Sequence, residues 1–282
     1  MGIYDKVLLT VDFDRTLTDP DSCVPQRNID AIRYFMENGG AFTVNTGRSL
    51  NTFRDQMKVV PTNAPLLLFN GSAAYFEGQY TYQKEIDLNM WPVLNLMAEE
   101  FPELNLEVQG LDTHYLINAK KDYMEMYRGM GWPFKIAKEG DDLGPFIKFS
   151  LFGKPRYNKV GTMFDATEEE IELFRRAERR IWDLWGDKVT VYRAAPRIID
   201  VHTRGVSEIK AARQLQKELG KEILVCVGDA ENDIPMLDGA DYAFCPADGV
   251  VADLYKNGCN CADGAVADVI YHEIPKILDI QA

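Results

Sequence analysis

Short apolar runs alternate with stretches whose apolar residues recur at helical spacing through the first part of the chain. Val7 to Val11 is a near-continuous apolar run, the pattern of a strand buried on both faces. Pro25 to Asn38 carries Ile29, Ile32, Phe35 and Met36 at helical spacing, and Gly39-Gly40 supplies a stop. Ala41 to Asn45 predicts a second strand, Leu50 to Met57 a second helix and Leu66 to Phe69 a third strand, followed by the turn signal Asn70-Gly71. Strand and helix repeated in this way indicate a parallel, doubly wound sheet.

After about Tyr82 the pattern changes. Amphipathic helices over Leu88 to Phe101 and Glu168 to Leu184 are separated by short strand candidates: Leu104 to Gln109, His114 to Asn118, Ile147 to Phe152, Lys188 to Tyr192 and Ile198 to Val201. That mixture indicates an α+β module. From Ser207 the first pattern returns, with a helix to Leu219, Gly220 as its cap, the strand Ile223 to Val227 and a helix opening near Asn232. The expected fold class is therefore α/β, with a doubly wound, Rossmann-like parallel-sheet core made of residues 1–82 and 201–282 and an α+β cap inserted at 83–200. Trp91, Tyr115, Tyr123, Tyr127 and Trp132 of the insert read as core rather than as a specificity pocket.

Composition narrows the partners. A formal net charge of -13 argues against wrapping nucleic acid, which needs a basic footprint, and against an anionic membrane surface. A phosphorylated substrate then requires local positive charge, from a metal ion or a few Arg and Lys residues. The N-terminal stretch has no apolar h-region, Lys6 stands where myristoylation wants Ser or Thr, and no apolar run is long enough to span a bilayer. Five cysteines without a C-x-x-C pair fit reduced thiols, so a cytoplasmic protein is expected, with Cys259-Asn260-Cys261 read as thiols and not as a metal site. His114, His202 and His272 lie in no motif, which leaves a Ser-His-Asp or His-metal mechanism little to stand on.

Three constellations carry chemistry. Val-Asp12-Phe-Asp14-Arg-Thr16-Leu ends the first buried strand, and period-2 geometry puts Asp12 and Asp14 on one side of the backbone, in the crevice where open α/β sheets bind ligands. Two such carboxylates repel unless a cation neutralises them or one keeps its proton. One can then be a nucleophile and the other a general acid, although D-x-D alone is equally read as a loop cap. Gly228-Asp229-Ala230-Glu231-Asn232-Asp233 follows a second buried strand. With Asp12, Asp229 and Asp233, together with a backbone carbonyl, it makes an all-oxygen set suited to Mg²⁺. Third, Thr46 and Gly47 of Val44-Asn45-Thr46-Gly47-Arg48 offer a hydroxyl, an amide and the start of a helix as a phosphate cradle.

Together and in this order, D-x-D-x-T-L, T-G-R, the Asn70-Gly71 turn and G-D-x-x-N-D resemble the haloacid-dehalogenase superfamily of phosphotransferases. The insertion after the third strand resembles the Cof-like subgroup with its C2-type cap. Sugar-phosphate phosphatases and eukaryotic phosphomannomutases are similar in that respect. The resemblance implies that Asp12 attacks phosphorus and becomes an aspartyl phosphate. Asp14 would protonate the leaving oxygen and then activate water. The Asp12 carboxylate, the Asp14 carbonyl and Asp229 would hold Mg²⁺ with Asp233 nearby, Thr46 would bind the phosphoryl oxygens, and Asn232 would order the phosphate site.

Two positions depart from the family pattern. Glu208, in Gly205-Val206-Ser207-Glu208, stands where a lysine is expected, and Lys210 is about 200° further round a helix. Arg15 stands where most relatives have glycine, and it is a candidate to supply the missing charge and pair with Glu208. The expected activity is Mg²⁺-dependent hydrolysis of a small phosphorylated metabolite such as a sugar phosphate. The alternatives are a phosphomutase, for which Lys120, Lys121, Arg128, Lys135 and Lys138 would have to hold a second phosphate, and a non-catalytic binder of phosphometabolites.

Overall fold

The computed structural model describes residues 2–155, 166–256 and 258–280. In chain order, β1 (Val7–Val11), α1 (Gln26–Glu37), β2 (Ala41–Val44), the short α2 (Leu50–Phe53) and β3 (Leu66–Leu68) come first. The hairpin strands β4 (Ala73–Phe76) and β5 (Gln79–Gln83) follow, then α3 (Trp91–Glu100), β6 (Asn105–Gln109), β7 (His114–Ile117), α4 (Lys121–Gly129) and β8 (Phe134–Ile136). The chain continues through β9 (Lys148–Phe152), α5 (Glu168–Trp185), β10 (Val189–Ala195), β11 (Ile198–Thr203) and α6 (Glu208–Glu218). It closes with β12 (Ile223–Val227), α7 (Ile234–Asp238), β13 (Tyr242–Phe244), α8 (Ala265–Asp268) and α9 (Ile274–Ile277). None of the described helices is long and apolar enough to cross a membrane.

The chain separates into two compact units. The first comprises Met1–Gly47, Phe53–Tyr82 and Ser207–Ala282, and the second Arg48–Thr52 and Gln83–Val206. The second unit thus runs past residue 200, because β11 extends to Thr203 and is hydrogen-bonded along its length to β9 and β10.

In the first unit the order β13-β12-β1-β2 is parallel throughout, with Val11 level with Val227 on one side and Val44 on the other. Every residue of β1 is buried, as the apolar run requires of a central strand covered on both faces. Leu8, Leu224 and Cys226 pack with Ala211, Ala212 and Leu215 of α6 and with Met236 and Leu237 of α7. Burying each such leucine stabilises the fold by about 1.5–3 kcal/mol.

The second unit is built on a sheet of order β10-β11-β9-β6-β7-β8, antiparallel except for the β7–β8 pair. Alternation divides its faces. Leu106, Val108, Phe149, Leu151, Ile199 and Val201 pack against Val93, Leu94 and Met97 of α3 and Phe174, Ala177 and Ile181 of α5. Helix α5 opens on a capping box: Thr167 Oγ1 accepts the Glu170 N–H, and the Glu170 carboxylate accepts the Thr167 N–H. Glu107, Gln109, Lys148, Ser150, Asp200 and His202 occupy the opposite set of positions and are also buried. Of the five aromatic residues read as core, Tyr123, Tyr127 and Trp132 form a cluster with Leu116, while Trp91 and Tyr115 pack on the apolar side.

Candidate active site

Three strand ends of the first unit converge. Because β1 and β12 run in parallel register, Asp12 and Gly228-Asp229 leave the sheet at one carboxyl edge, and the Asp12 N–H donates to the Val227 carbonyl at 2.9 Å. The Asn45 N–H donates to Val11 in the same way, and the Thr46 N–H to Leu67. The loop after β1 turns sharply: Asp14 is extended (φ -75°, ψ 121°), and Arg15 sits in the left-handed region (φ 63°, ψ 4°) with its N–H donating to Thr18 Oγ1. That conformation costs a non-glycine residue about 1 kcal/mol or more.

Asp12, Asp229 and Asp233 each present a carboxylate oxygen such that the three lie within 4.8 Å of one another. Asp229 and Asp233 are buried and Asp12 is part-buried. Asp233 Oδ2 accepts the N–H groups of Asp229 (2.8 Å) and Ala230 (2.9 Å), which closes the turn and aims the carboxyl. Gly228 is required there, since a Cβ on it would lie 2.7 Å from the Asp233 side chain. Asp233 Oδ1 is buried and finds no hydrogen-bond partner among the described residues. Such an orphaned acceptor beside two further carboxylates fits a hard cation held by oxygen.

The electrostatics agree. Burial, then the charges of Asp233, Asp229, Asp14 and Glu208, hold the Asp12 carboxyl well above the usual carboxylate range. Burial and the Asp233 charge push Asp229 up to about 7, against the Thr16 hydrogen bond and the Arg15 charge. Burial raises Asp233 to about 6 despite its two N–H donors. Without a counter-ion these acids resist ionisation together.

The other expected residues fall as follows. Asp14 lies close enough for its charge to act on both Asp12 and Asp229. Thr46 is buried, and Gly47 packs so closely on Asn70 that a Cβ would meet Asn70 Oδ1 at 2.7 Å. Asn70 is left-handed (φ 55°), and its buried Oδ1 also lacks a hydrogen-bond partner among the described residues. Asn232 lies half-buried on the turn Glu231–Asp233, and no hydrogen bond among the described residues joins it to the carboxylates. Glu208 is buried at the start of α6 behind the cap Ser207, whose Oγ accepts the Lys210 N–H. Arg15 acts on Asp229, where its charge favours ionisation.

Two contributors were not singled out from the sequence. Thr16, fully buried, donates from Oγ1 to Asp229 Oδ1 at 3.1 Å and so ties the first acidic strand end to the second. Its place in D-x-D-x-T-L was the available signal. Asn45 donates from Nδ2 to the Glu208 carbonyl and anchors α6 behind the turn. Nothing in the sequence around Asn45 announces that contact. The pair Cys259 and Cys261 behaves as plain thiols: Cys261 Sγ donates to Asp248 and Cys259 Sγ accepts from Arg27.

A family model described as haloacid dehalogenase-like hydrolase matches residues 9–251. Among curated proteins, an uncharacterized hydrolase of Schizosaccharomyces pombe (C215.10) is 22% identical, over 94% of this chain and 90% of its own length. The 5-amino-6-(5-phospho-D-ribitylamino)uracil phosphatase YcsE of Bacillus subtilis is 23% identical, over 95% of this chain and 96% of its own. Among solved structures, SMU.1108c from Streptococcus mutans superposes with a TM-score of 0.77 at 18% identity, covering 95% of this chain and 98% of that one.

Proposed function

This chain belongs to the haloacid dehalogenase-like hydrolase family, curated relatives of it are phosphatases, and on that premise we propose that it is a cytoplasmic, Mg²⁺-dependent phosphatase of a small sugar phosphate, working through Asp12. The observations that carry this reading are the convergence of a carboxylate oxygen from each of Asp12, Asp229 and Asp233 and the orphaned Oδ1 of Asp233. Asp12, Asp229, Asp233 and the Asp14 carbonyl would hold the ion. When bound, Mg²⁺ neutralises the clustered carboxylates and the phosphoryl oxygens, so that a dianion can approach.

A carboxylate oxygen of Asp12 forms a bond to phosphorus as the ester P–O bond breaks, and Asp14 gives its proton to the departing oxygen. Asp14, now ionised, takes a proton from water as the water oxygen attacks phosphorus. Orthophosphate leaves, and Asp12 returns as a carboxylate. The Thr46 hydroxyl and the Gly47 N–H orient the phosphoryl oxygens, with Asn232 ordering that side, and Arg15 supplies positive charge at Asp229.

The substrate class rests on two supports. The relative YcsE is named for a phosphoribitylamino substrate, a phosphate ester on a sugar-like chain. Four of the five cations a mutase would need for a second phosphate are engaged locally: Lys121 with Glu125, Lys120 with the Leu104 and Asn118 carbonyls, Arg128 over Phe134 and Lys135 over Tyr115. All five cysteines are free, as a reducing compartment would keep them. Phosphate release should be measured across hexose, pentose and polyol phosphates, nucleotides and phosphoamino acids. Sugar or polyol phosphates should be turned over best; a tenfold preference for nucleotides or phosphoamino acids would overturn the substrate class.

A further inference from the structure

The second unit includes a fragment from far upstream, Arg48–Thr52, which continues the chain directly from the Thr46-Gly47 turn. A buried row of side chains joins it to the rest of the unit. Ser49 Oγ lies 2.8 Å from His114 Nε2, and His114 Nδ1 lies 2.7 Å from Glu107 Oε1 and 2.9 Å from Tyr127 Oη. Tyr123 and Tyr127 donate their hydroxyls to the two Glu107 oxygens. Ser49 and His114 are each 1% exposed and Glu107 0%. The order Ser, His, carboxylate is that of a hydrolytic triad, but no substrate reaches a serine so buried. Its Oγ is also occupied in accepting the Thr52 N–H at 3.2 Å, capping α2.

We propose that His114 is a positioning residue for the reaction above: through Ser49 it fixes the segment that follows the phosphate-binding turn. The inference rests on the reading that Thr46 and Gly47 hold the phosphoryl group. Helix α2 has only four residues, far below the ~12 at which an isolated helix begins to persist, so a tertiary contact must hold it. Two peptide units separate Ser49 from Gly47, so anchoring Ser49 confines the Gly47 amide to a shell of about 7 Å. The anchor is stiff because the ring itself is held. An ionised Glu107 only accepts, so Nδ1 carries a proton, and Nε2 either accepts the Ser49 O–H or, when protonated, donates to its oxygen. Both charge states of the ring keep the contact.

The test uses full-length enzyme carrying Ser49→Ala, Ser49→Thr, His114→Phe and the double variant Ser49→Ala/His114→Phe. It reads KM and kcat, inhibition by orthophosphate in Mg²⁺, and hydrogen exchange of the amides at 49–53. Ser49→Ala and His114→Phe should each weaken orthophosphate inhibition and raise KM by about tenfold, the scale of one buried hydrogen bond. The double variant should be no worse than either single one, Ser49→Thr should restore most of the loss, kcat should fall less than KM rises, and the amides at 49–53 should exchange faster. Variants within twofold of wild type, additive effects, or a loss in Ser49→Ala without one in His114→Phe (capping alone) would overturn the proposal. If His114→Phe does not fold, His114→Asn, whose amide keeps a donor toward Glu107 but is too short to reach Ser49, takes its place and should give the same loss. A wild type that neither turns over phosphate esters nor binds orthophosphate would remove the functional reading itself, whereas an active wild type with unchanged variants removes only the role of His114.

Discussion

The two units bury acids in opposite ways. In the first, Asp12, Asp229 and Asp233 face one another; burial raises all three, and the charges of neighbouring acids raise Asp12 and Asp229 further. In the second, burial alone would also raise Glu107, but the His114 charge and hydrogen bonds from His114, Tyr127 and Tyr123 overrule it and hold it below the usual range. Asp200 is likewise met by Lys148 at 3.0 Å and Ser150 at 2.7 Å. A buried carboxylate with its partners in place belongs to the architecture. Carboxylates buried against one another resist ionising together, and under the proposed function a bound cation would supply the charge that offsets them.

Four substitutions sharpen or break that contrast. Asp14→Asn should lower steady-state turnover by about 10²–10⁴, the usual worth of a general acid, while calorimetry shows Mg²⁺ binding retained because that position offers its carbonyl. Loss of both together would mean the two carboxylates do not divide their work. Glu107→Gln should destabilise the protein by about 3 kcal/mol in urea unfolding, the cost of breaking a buried pair, whereas Asp233→Asn in metal-free protein should stabilise it by about 1 kcal/mol by removing a repelled charge. Equal signs for the two would erase the distinction.

The pH dependence follows from Glu107. Its folded pKa lies below the unfolded value of about 4.3, so its ionised form stabilises the fold above that pH, and the contribution is lost as pH falls through the folded pKa. Wild type should therefore lose its advantage over Glu107→Gln below about pH 4 in acid-unfolding curves. A gap that stays constant down to pH 3 would contradict this. The smallest effect is expected at Arg15: glycine there relieves the left-handed strain and should raise stability by up to about 1 kcal/mol in a thermal melt. A lower melting temperature would mean that the Arg15 charge outweighs the strain.

The acidic strand ends were legible because an aspartate at or just past the end of a near-continuous apolar run falls at the sheet's carboxyl edge, as Asp12 directly after β1 and Asp229 two residues past β12 do. The helix expected over Leu50 to Met57 is shorter: α2 stops at Phe53, and a separate turn covers Gln56–Lys58. Strands β4 and β5 were not foreseen, since Gln79–Gln83 is largely exposed and its hairpin turns on Glu77 and Gly78, both left-handed. Helix α4 escaped because only Tyr123 and Tyr127 mark its buried face. The row Ser49, His114 and Glu107 has no local signature at all. Its members come from three separated segments, and only the β6–β7 register and the placement of 48–52 bring them together.

The most direct test is phosphate release from the best substrate of the panel by wild type and Asp12→Asn, each in Mg²⁺ and after chelation. Turnover by wild type in Mg²⁺ alone, with Asp12→Asn reduced by about 10³ or more, is the result expected of a nucleophile beside a cation site. Release that survives chelation, or that Asp12→Asn leaves within tenfold of wild type, would contradict the account.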